Sequence, residues 1–369
     1  MKSEEKEILL LLTQFARRPG LSIYHYAVLT TLDENNRPYS RIRSPTVNKP
    51  YDLVMEDIEK QLSGKTHTRY SKEQLEKAKA LDTKYKDIID EYAWHILCYD
   101  ETVQDKSRKT SIKHLEHDPK ASMVFMEAKV IIDPKSGKMT YQRGTKDIIM
   151  DIEVSNISRR GEPLFEHRSQ RYLLLLADTH LASYENKEEQ FYSTVFEIWT
   201  AKPINIKLIN QKEGGPIELL EDFVFTNKEE SLMFLKKHNM GTIAIKDPDT
   251  QSPFAIPTEF SVDQSIAEGV FWIVDSSQEF IVGMYKKVIR NVDNNEPYVS
   301  ICTPAFGTQY ELGIAIEGDM VIKGKEIDNF RAKTGFDGPI VYINPRRITN
   351  ISPSEKRRKT INIVYNEWN

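Results

Sequence analysis

One pattern constrains this chain more than any other. A strand-like run, a turn rich in Asp, Asn and Pro, and a returning strand occur at His25–Val47 (HYAVLTTLDENNRPYSRIRSPTV) and again at Met240–Val262 (MGTIAIKDPDTQSPFAIPTEFSV). Apolar runs bounded by such turn residues read as β-hairpins. Each hairpin is followed by an aromatic apolar run, WHILCYDET from Trp94 and GVFWIVDSS from Gly269. Next comes a helix-like segment leading into a strand, SRKTSIKHLEHDPKASMVF in the first case and MYKKVIRNVDNNEPYVSIC in the second. Each half then closes on a long strand-like stretch, STVFEIWTAKPINIKLI from Ser193 and GPIVYINPRRITNIS from Gly338. The same order of elements twice over reads as one plan used twice. A chain of 369 residues is also longer than one core usually holds. The expected division is 1–210 and 217–369, with NQKEGGP from Asn210 to Pro216 as the linker.

The first copy carries a concentration of cations suited to a phosphate. Ser107 precedes Arg108 and Lys109, and Ile112 and Leu115 follow, three apart as on one face of a helix. Ser107 is then an N-cap. Free amides, the positive end of the helix dipole and two cationic side chains converge there. Arg41 and Arg43 lie two apart in the returning strand of the first hairpin, so both guanidiniums project from the same face. The second copy keeps Lys286 and Lys287 but has no serine or arginine beside them. Counted from the hairpin prolines Pro38 and Pro253, the positions of Arg41 and Arg43 become Ile256 and Thr258.

In this order of elements the chain resembles the FMN-binding split β-barrel family, which includes the pyridoxamine phosphate oxidases. SRIRSP, WHILCYD, the Ser-Arg-Lys helix start, HLEHDPKAS and MVFME carry the resemblance. It implies a β-rich α+β fold of two antiparallel split β-barrels with flanking helices, fused as an internal pseudo-dimer. It implies FMN as cofactor, with its phosphate held by Arg41 or Arg43 together with Arg108 and Lys109. Ser107 and Thr102 are weaker carry-overs. The activity implied is that of a flavin-dependent oxidoreductase, an oxidase or a reductase of unknown small-molecule substrate. The C-terminal Arg-x-His and Trp-Arg pattern of true pyridoxamine phosphate oxidases is absent from INIVYNEWN, so that substrate is not expected. Two alternatives stay open: a haem-binding split barrel, and a non-catalytic interaction or scaffold protein built on the decayed second copy.

Tyr51–Tyr92 exceeds a minimal barrel and reads as a helical insertion at 51–92. Its first helix spans Asp52–Leu62 and is ended by Gly64. The second opens on the capping-box pattern Ser71–Gln74, runs to about Glu91, and has Leu75, Leu81, Tyr85, Ile88 and Ile89 as its buried stripe. Another helix is expected from Asn227. The net charge of -4 argues against a surface given over to nucleic acid, and KRRK at Lys356–Lys359 reads as a solvated charge run. There is no GxxxxGK, GxGxxG, CxxC or HExxH, which removes the signatures of nucleotide hydrolysis, a Rossmann cofactor and common zinc sites. His114 and His117 lack an evident third metal ligand, and Asp178 and His180 lack a nucleophile. Cys98 and Cys302, each in an apolar run, read as reduced core thiols. No run is long enough to span a bilayer, and the expected location is the cytoplasm, without membrane or nucleic-acid partners. Higher homo-oligomers stay open.

Overall fold

The computed structural model describes residues 1–13, 22–23, 27–66, 68, 70–101, 110–132, 139–175, 195–210, 216–217, 228–304 and 313–351. The strands are β1 (Ser22–Ile23), β2 (Ala27–Leu32), β3 (Pro38–Arg43), β4 (Thr46–Val47), β5 (Ile96–Glu101), β6 (Lys120–Phe125), β7 (Ala128–Ile132), β8 (Met139–Arg143) and β9 (Lys146–Arg159). They continue as β10 (Val195–Asn210), β11 (Pro216–Ile217), β12 (Met240–Lys246), β13 (Pro253–Glu259), β14 (Val270–Ile273), β15 (Tyr298–Pro304), β16 (Gly313–Val321) and β17 (Ile340–Ile351). The helices are α1 (Ser3–Leu11), α2 (Tyr51–Leu62), α3 (Lys72–Lys84), α4 (Lys86–Glu91), α5 (Thr110–His117), α6 (Pro163–Leu174), α7 (Lys228–Lys237), α8 (Glu279–Asp293) and α9 (Lys325–Thr334). The chain is a β-rich α+β protein whose paired strands run antiparallel.

Contacts divide it into two compact units, neither continuous in sequence. Unit 1 is Met1–Thr13, Pro45–Lys113 and Glu153–Pro203; unit 2 is Gln14–Ser44, His114–Ile152 and Ile204–Asn369. Both hairpins belong to unit 2, while β9 and β10 pass through both units.

The two main sheets share one strand order. In the first it is β3-β2-β6-β9-β10-β5, with the short β4 added at the end; in the second it is β13-β12-β15-β16-β17-β14. Hairpin, middle strand, next long strand, closing strand and aromatic strand fall in the same places. The hairpin registers agree too, with Pro38 opposite Leu32 and Pro253 opposite Lys246. Within unit 2, β2, β3 and β6 lie against β12, β13 and β15, and this explains why β2 is buried on both faces. Their shared core joins Val28, Ile42 and Val124 to Ile243, Ile245, Ile256, Ile301 and Ile316. Burying each such side chain is worth about 1.5–3 kcal/mol, so this layer is a major source of the unit's stability. Close approach sets one residue: a Cβ on Gly313 would run into the Thr303 carbonyl and the tip of Ile42.

Unit 1 is built on the helical insertion. α2 ends at a Ser63 cap, and Gly64 follows with a φ of 70°, a left-handed value that glycine adopts without strain. The capping box forms: Ser71 Oγ accepts from the Gln74 amide at 3.1 Å, and the Ser71 amide donates to Gln74 Oε1 at 2.9 Å. The single helix expected over 71–91 is instead two, α3 and α4, broken at Tyr85. Both pieces pack on α6, and the break accompanies a buried polar contact that the stripe did not foresee. Asp82, fully buried on α3, accepts from His167 Nε2 at 2.7 Å and from Arg171 Nε at 2.9 Å. The Tyr85 ring lies 5.2 Å from that of His167.

Both ends of the expected linker lie in strands, Asn210 in β10 and Pro216 in β11. Residues 211–215 lie outside the described residues, but Pro216–Ile217 pairs with β8 at the edge of a four-stranded sheet ordered β1-β7-β8-β11. An edge position suits Pro216, which has no amide hydrogen to donate. Among the described residues no helix is long and apolar enough to cross a membrane. Cys98 and Cys302 are both buried and unbridged.

Candidate functional site

The candidate site forms around β3. Arg41 and Arg43 alternate with Ile42 along this strand and are 8% and 9% exposed, against 0% for Ile42. The sharing of one face by the two arginines follows directly from the two-residue period of a strand.

Arg41 is held from three sides, all within unit 2. Its Nη1 donates to the Ser40 carbonyl at 2.6 Å, and both terminal nitrogens reach Glu317 Oε1 on β16, at 3.2 and 3.3 Å. The guanidinium lies 3.7 Å from the centre of the Tyr39 ring. Arg347, on β17, approaches the other oxygen of Glu317 at 3.5 Å, and its Nε is enclosed without a hydrogen-bond partner among the described residues. Glu317 sits where β16 shifts register, between Glu317 and Gly318. The residue passed over there is Arg346, so the extra residue of this bulge belongs to β17, and Glu317 keeps the regular alternation of β16.

Charge in this cluster does not cancel. Among the described residues two guanidiniums, the buried Arg41 and the more exposed Arg347, face the one carboxylate of Glu317, an excess of one positive charge. Burial opposes the charge of Arg41, but Tyr39 and Glu317 outweigh it and the pKa of the guanidinium is raised. Burial pushes the Cys302 thiol up to about 12, against a smaller opposing pull from Arg41, so this thiol stays protonated. His114 meets Tyr39 edge-on at 4.8 Å, and its Nδ1 lies 3.0 Å from Thr31 Oγ1. Burial lowers the His114 pKa, which keeps the ring neutral near pH 7. No cluster of three metal-ligating side chains occurs among the described residues.

Of the residues picked from sequence, Arg41 and Arg43 are therefore together on β3. Thr102, Ser107, Arg108 and Lys109 lie outside the described residues, as do Asp178, His180 and Lys356–Lys359. The described part of the following helix begins at Thr110. Glu317 and Arg347 were not foreseen, because Glu317 is 276 residues from Arg41 and meets it only through the packing of β16 on β3. The PRR run in the closing strand was the available signal for Arg347.

The equivalent place in the second sheet is neutral. Ile256 is in the core, and Thr258 Oγ1 accepts from Trp272 Nε1 at 2.8 Å. Lys287 on α8 is held by Asp247 at 2.8 Å and Asp249 at 3.0 Å, both in the turn of its own hairpin.

No family model matches this chain, and no curated protein does. Three solved structures illustrate what it is similar to. The FAD binding protein from Mycobacterium smegmatis aligns at 15% identity over 35% of this chain and 98% of that one, with a TM-score of 0.27. General Stress Protein 26 from Bacillus anthracis str. Sterne aligns at 15% identity over 34% and 92%, with a TM-score of 0.25. The heme storage protein HutZ from Vibrio cholerae aligns at 12% identity over 57% and 96%, with a TM-score of 0.27. The fold rests on the chain's own strand order, and no residue role is taken from these likenesses.

Proposed function

We propose that the chain is an FMN-binding flavoprotein, an oxidoreductase acting on a small molecule. One observation carries the reading: two buried arginines on one face of the first hairpin, beside an excess of guanidinium over carboxylate. That donor set fits a phosphate monoester, which accepts charge-assisted hydrogen bonds from several arginines at once. Arg43, Ser107, Arg108 and Lys109 are assigned to the phosphate, with Thr102 near the ring system. Arg41 contributes through its field and through the fixed position of Glu317, since its terminal nitrogens are already engaged. When bound, the flavin supplies hydride or electron transfer. The protein's part is to hold the phosphate, exclude water with the Val28–Ile42 layer, and keep His114 neutral beside Tyr39.

On this reading residues 1–210 and 217–369 are tandem copies fused as a pseudo-dimer, supported by the identical strand order. The second copy serves as a wall, since Ile256 and Thr258 offer no cation. Two reduced, buried thiols agree with a cytoplasmic location.

The test is an absorbance spectrum of the purified protein as isolated and after adding FMN, alongside Arg43→Ala and Arg108→Ala/Lys109→Ala. Flavin bands in the wild type that disappear in both variants support the assignment. A colourless protein that leaves added FMN unperturbed removes it. The second outcome favours a non-catalytic scaffold, for which the commitment of Arg41 to Glu317 and of Lys287 to Asp247 already speaks.

A further inference from the structure

Unit 1 contains a group of cations of its own. Arg168, Arg171 and Tyr172 lie three and four residues apart on α6 and so share a face. α6 packs through Leu164 and Phe165 on Leu97 of β5 and Ile198 of β10, with Tyr99 and Tyr172 at the margin of that cluster. The Tyr99 and Tyr172 rings are 5.8 Å apart.

The charges in this group are unequal. Asp82 is the acid that faces it, and both of its oxygens are engaged, one by His167 and Arg171 together and the other by Arg171. His167 is buried, and burial lowers its pKa, so near pH 7 it adds no charge. Among the described residues, Arg168 therefore stands beside Arg171 with no carboxylate except Asp82, which Arg171 and His167 already engage. Its Nε is enclosed with no hydrogen-bond partner among the described residues. Burial, aided by Arg171, holds its pKa below the ordinary arginine value against the opposing pulls of Tyr99 and Asp82. A half-buried, unmatched guanidinium is costly to fold, and a protein normally retains one where something else completes it.

We infer that Arg168, Arg171 and Tyr99 form an anion-binding site in unit 1. Its ligand is a small molecule whose carboxylate or phosphate meets the two guanidiniums and whose flat apolar body lies against Tyr99 and Tyr172. Arg171 donates its Nε to both oxygens of Asp82, which fixes the side chain, and its terminal nitrogens are assigned to the ligand. One added negative charge balances the group. Asp82 and His167 are positioning residues, holding Arg171 in place.

The experiment uses the full chain free of flavin, with thermal unfolding and calorimetric titration at constant ionic strength. Phenyl phosphate, benzoate and inorganic phosphate are the probes, and chloride is the control. In the wild type, phenyl phosphate or benzoate raises the melting temperature and gives saturable heat, and inorganic phosphate binds more weakly because it lacks the apolar body. Arg168→Met weakens binding by about tenfold or more, the size of one lost charge-assisted contact. It also leaves the ligand-free melting temperature unchanged or raised, because an unmatched charge has gone. Arg168→Lys keeps part of the affinity. The proposal is overturned if no probe shifts the wild type, if Arg168→Met binds as the wild type does, or if Arg168→Met lowers the ligand-free melting temperature by several degrees. Phosphate taken up at the site proposed on β3 is unaffected by Arg168→Met, so the difference between the wild type and this variant, and the response to benzoate, are independent of the flavin reading.

Discussion

The two hairpins of unit 2 share their place in the strand order and the register of their proline, and they treat charge in opposite ways. The first puts Arg41 and Arg43 where the second puts Ile256 and Thr258. In the second, the remaining cation on the following helix is matched by two carboxylates from its own turn, Asp247 and Asp249. In the first, Arg41 is matched by a carboxylate from the other sheet, and that carboxylate is shared with Arg347. A backbone plan can thus be kept while its electrostatics move from a local, self-cancelling arrangement to a long-range, unbalanced one. The unbalanced copy is the one to which the proposed phosphate site is assigned.

Removing the acid from the first copy is the strongest way to break this comparison. Glu317→Gln strands a buried Arg41, and loss of one partner of a buried pair costs about 3–5 kcal/mol. Urea unfolding should show that loss, with partial recovery when phosphate is added. An unchanged midpoint would mean that the pair contributes nothing and that the two copies do not differ in this respect.

In the second copy the sensitive contact is neutral. Thr258→Val leaves the buried Trp272 Nε1–H without its acceptor, at a cost of about 1–3 kcal/mol, and phosphate should rescue none of it. Rescue by phosphate would place an anion site in the second sheet and undo the asymmetry.

Smaller again is the effect expected at Lys287, whose side chain is 23% exposed beside Asp247. Lys287→Met should lower stability by about 1 kcal/mol or less, and the loss should shrink further in high salt. A larger loss would show that the local pairing of the second copy is as consequential as the long-range pairing of the first.

The mildest expected change is with pH. Hydrogen bonds from Lys333 and Ser265 hold Asp263 down to about 2, below its ordinary carboxylate value. A depressed folded-state pKa means that the stabilisation is fully present above the unfolded value near 4 and is lost as pH falls from there toward 2. Both side chains are substantially solvated, so the loss is at most a few tenths of a kcal/mol. Comparing acid unfolding of the wild type with Asp263→Asn checks it; parallel curves would leave the pair without a role.

What the sequence made legible was local. The hairpins, the capping box at Ser71, the glycine stop at Gly64 and the face shared by Arg41 and Arg43 each depend on residues a few positions apart. What stayed hidden was set by distant contacts. Asp82 looked like one more charge on a charged helix, and only α6 makes it a buried acceptor. The break at Tyr85 belongs to that same packing. Glu317 became visible as a site residue only when β16 was laid beside β3, and the strand at Pro216 only when β8 was there to pair with it. Ser107, Arg108 and Lys109, the most phosphate-like tripeptide of the sequence, lie outside the described residues and depend on the flavin experiment.

The chain also carries its own clocks. Cys98 belongs to unit 1 and Cys302 to unit 2, and both sulfurs are enclosed. A thiol reagent in solution can modify either one only during the moments when its surroundings part, so the rate of labelling at each cysteine counts those moments. Two independent rates read from one unaltered protein would show which unit breathes more often, and whether a ligand that quiets one also quiets the other.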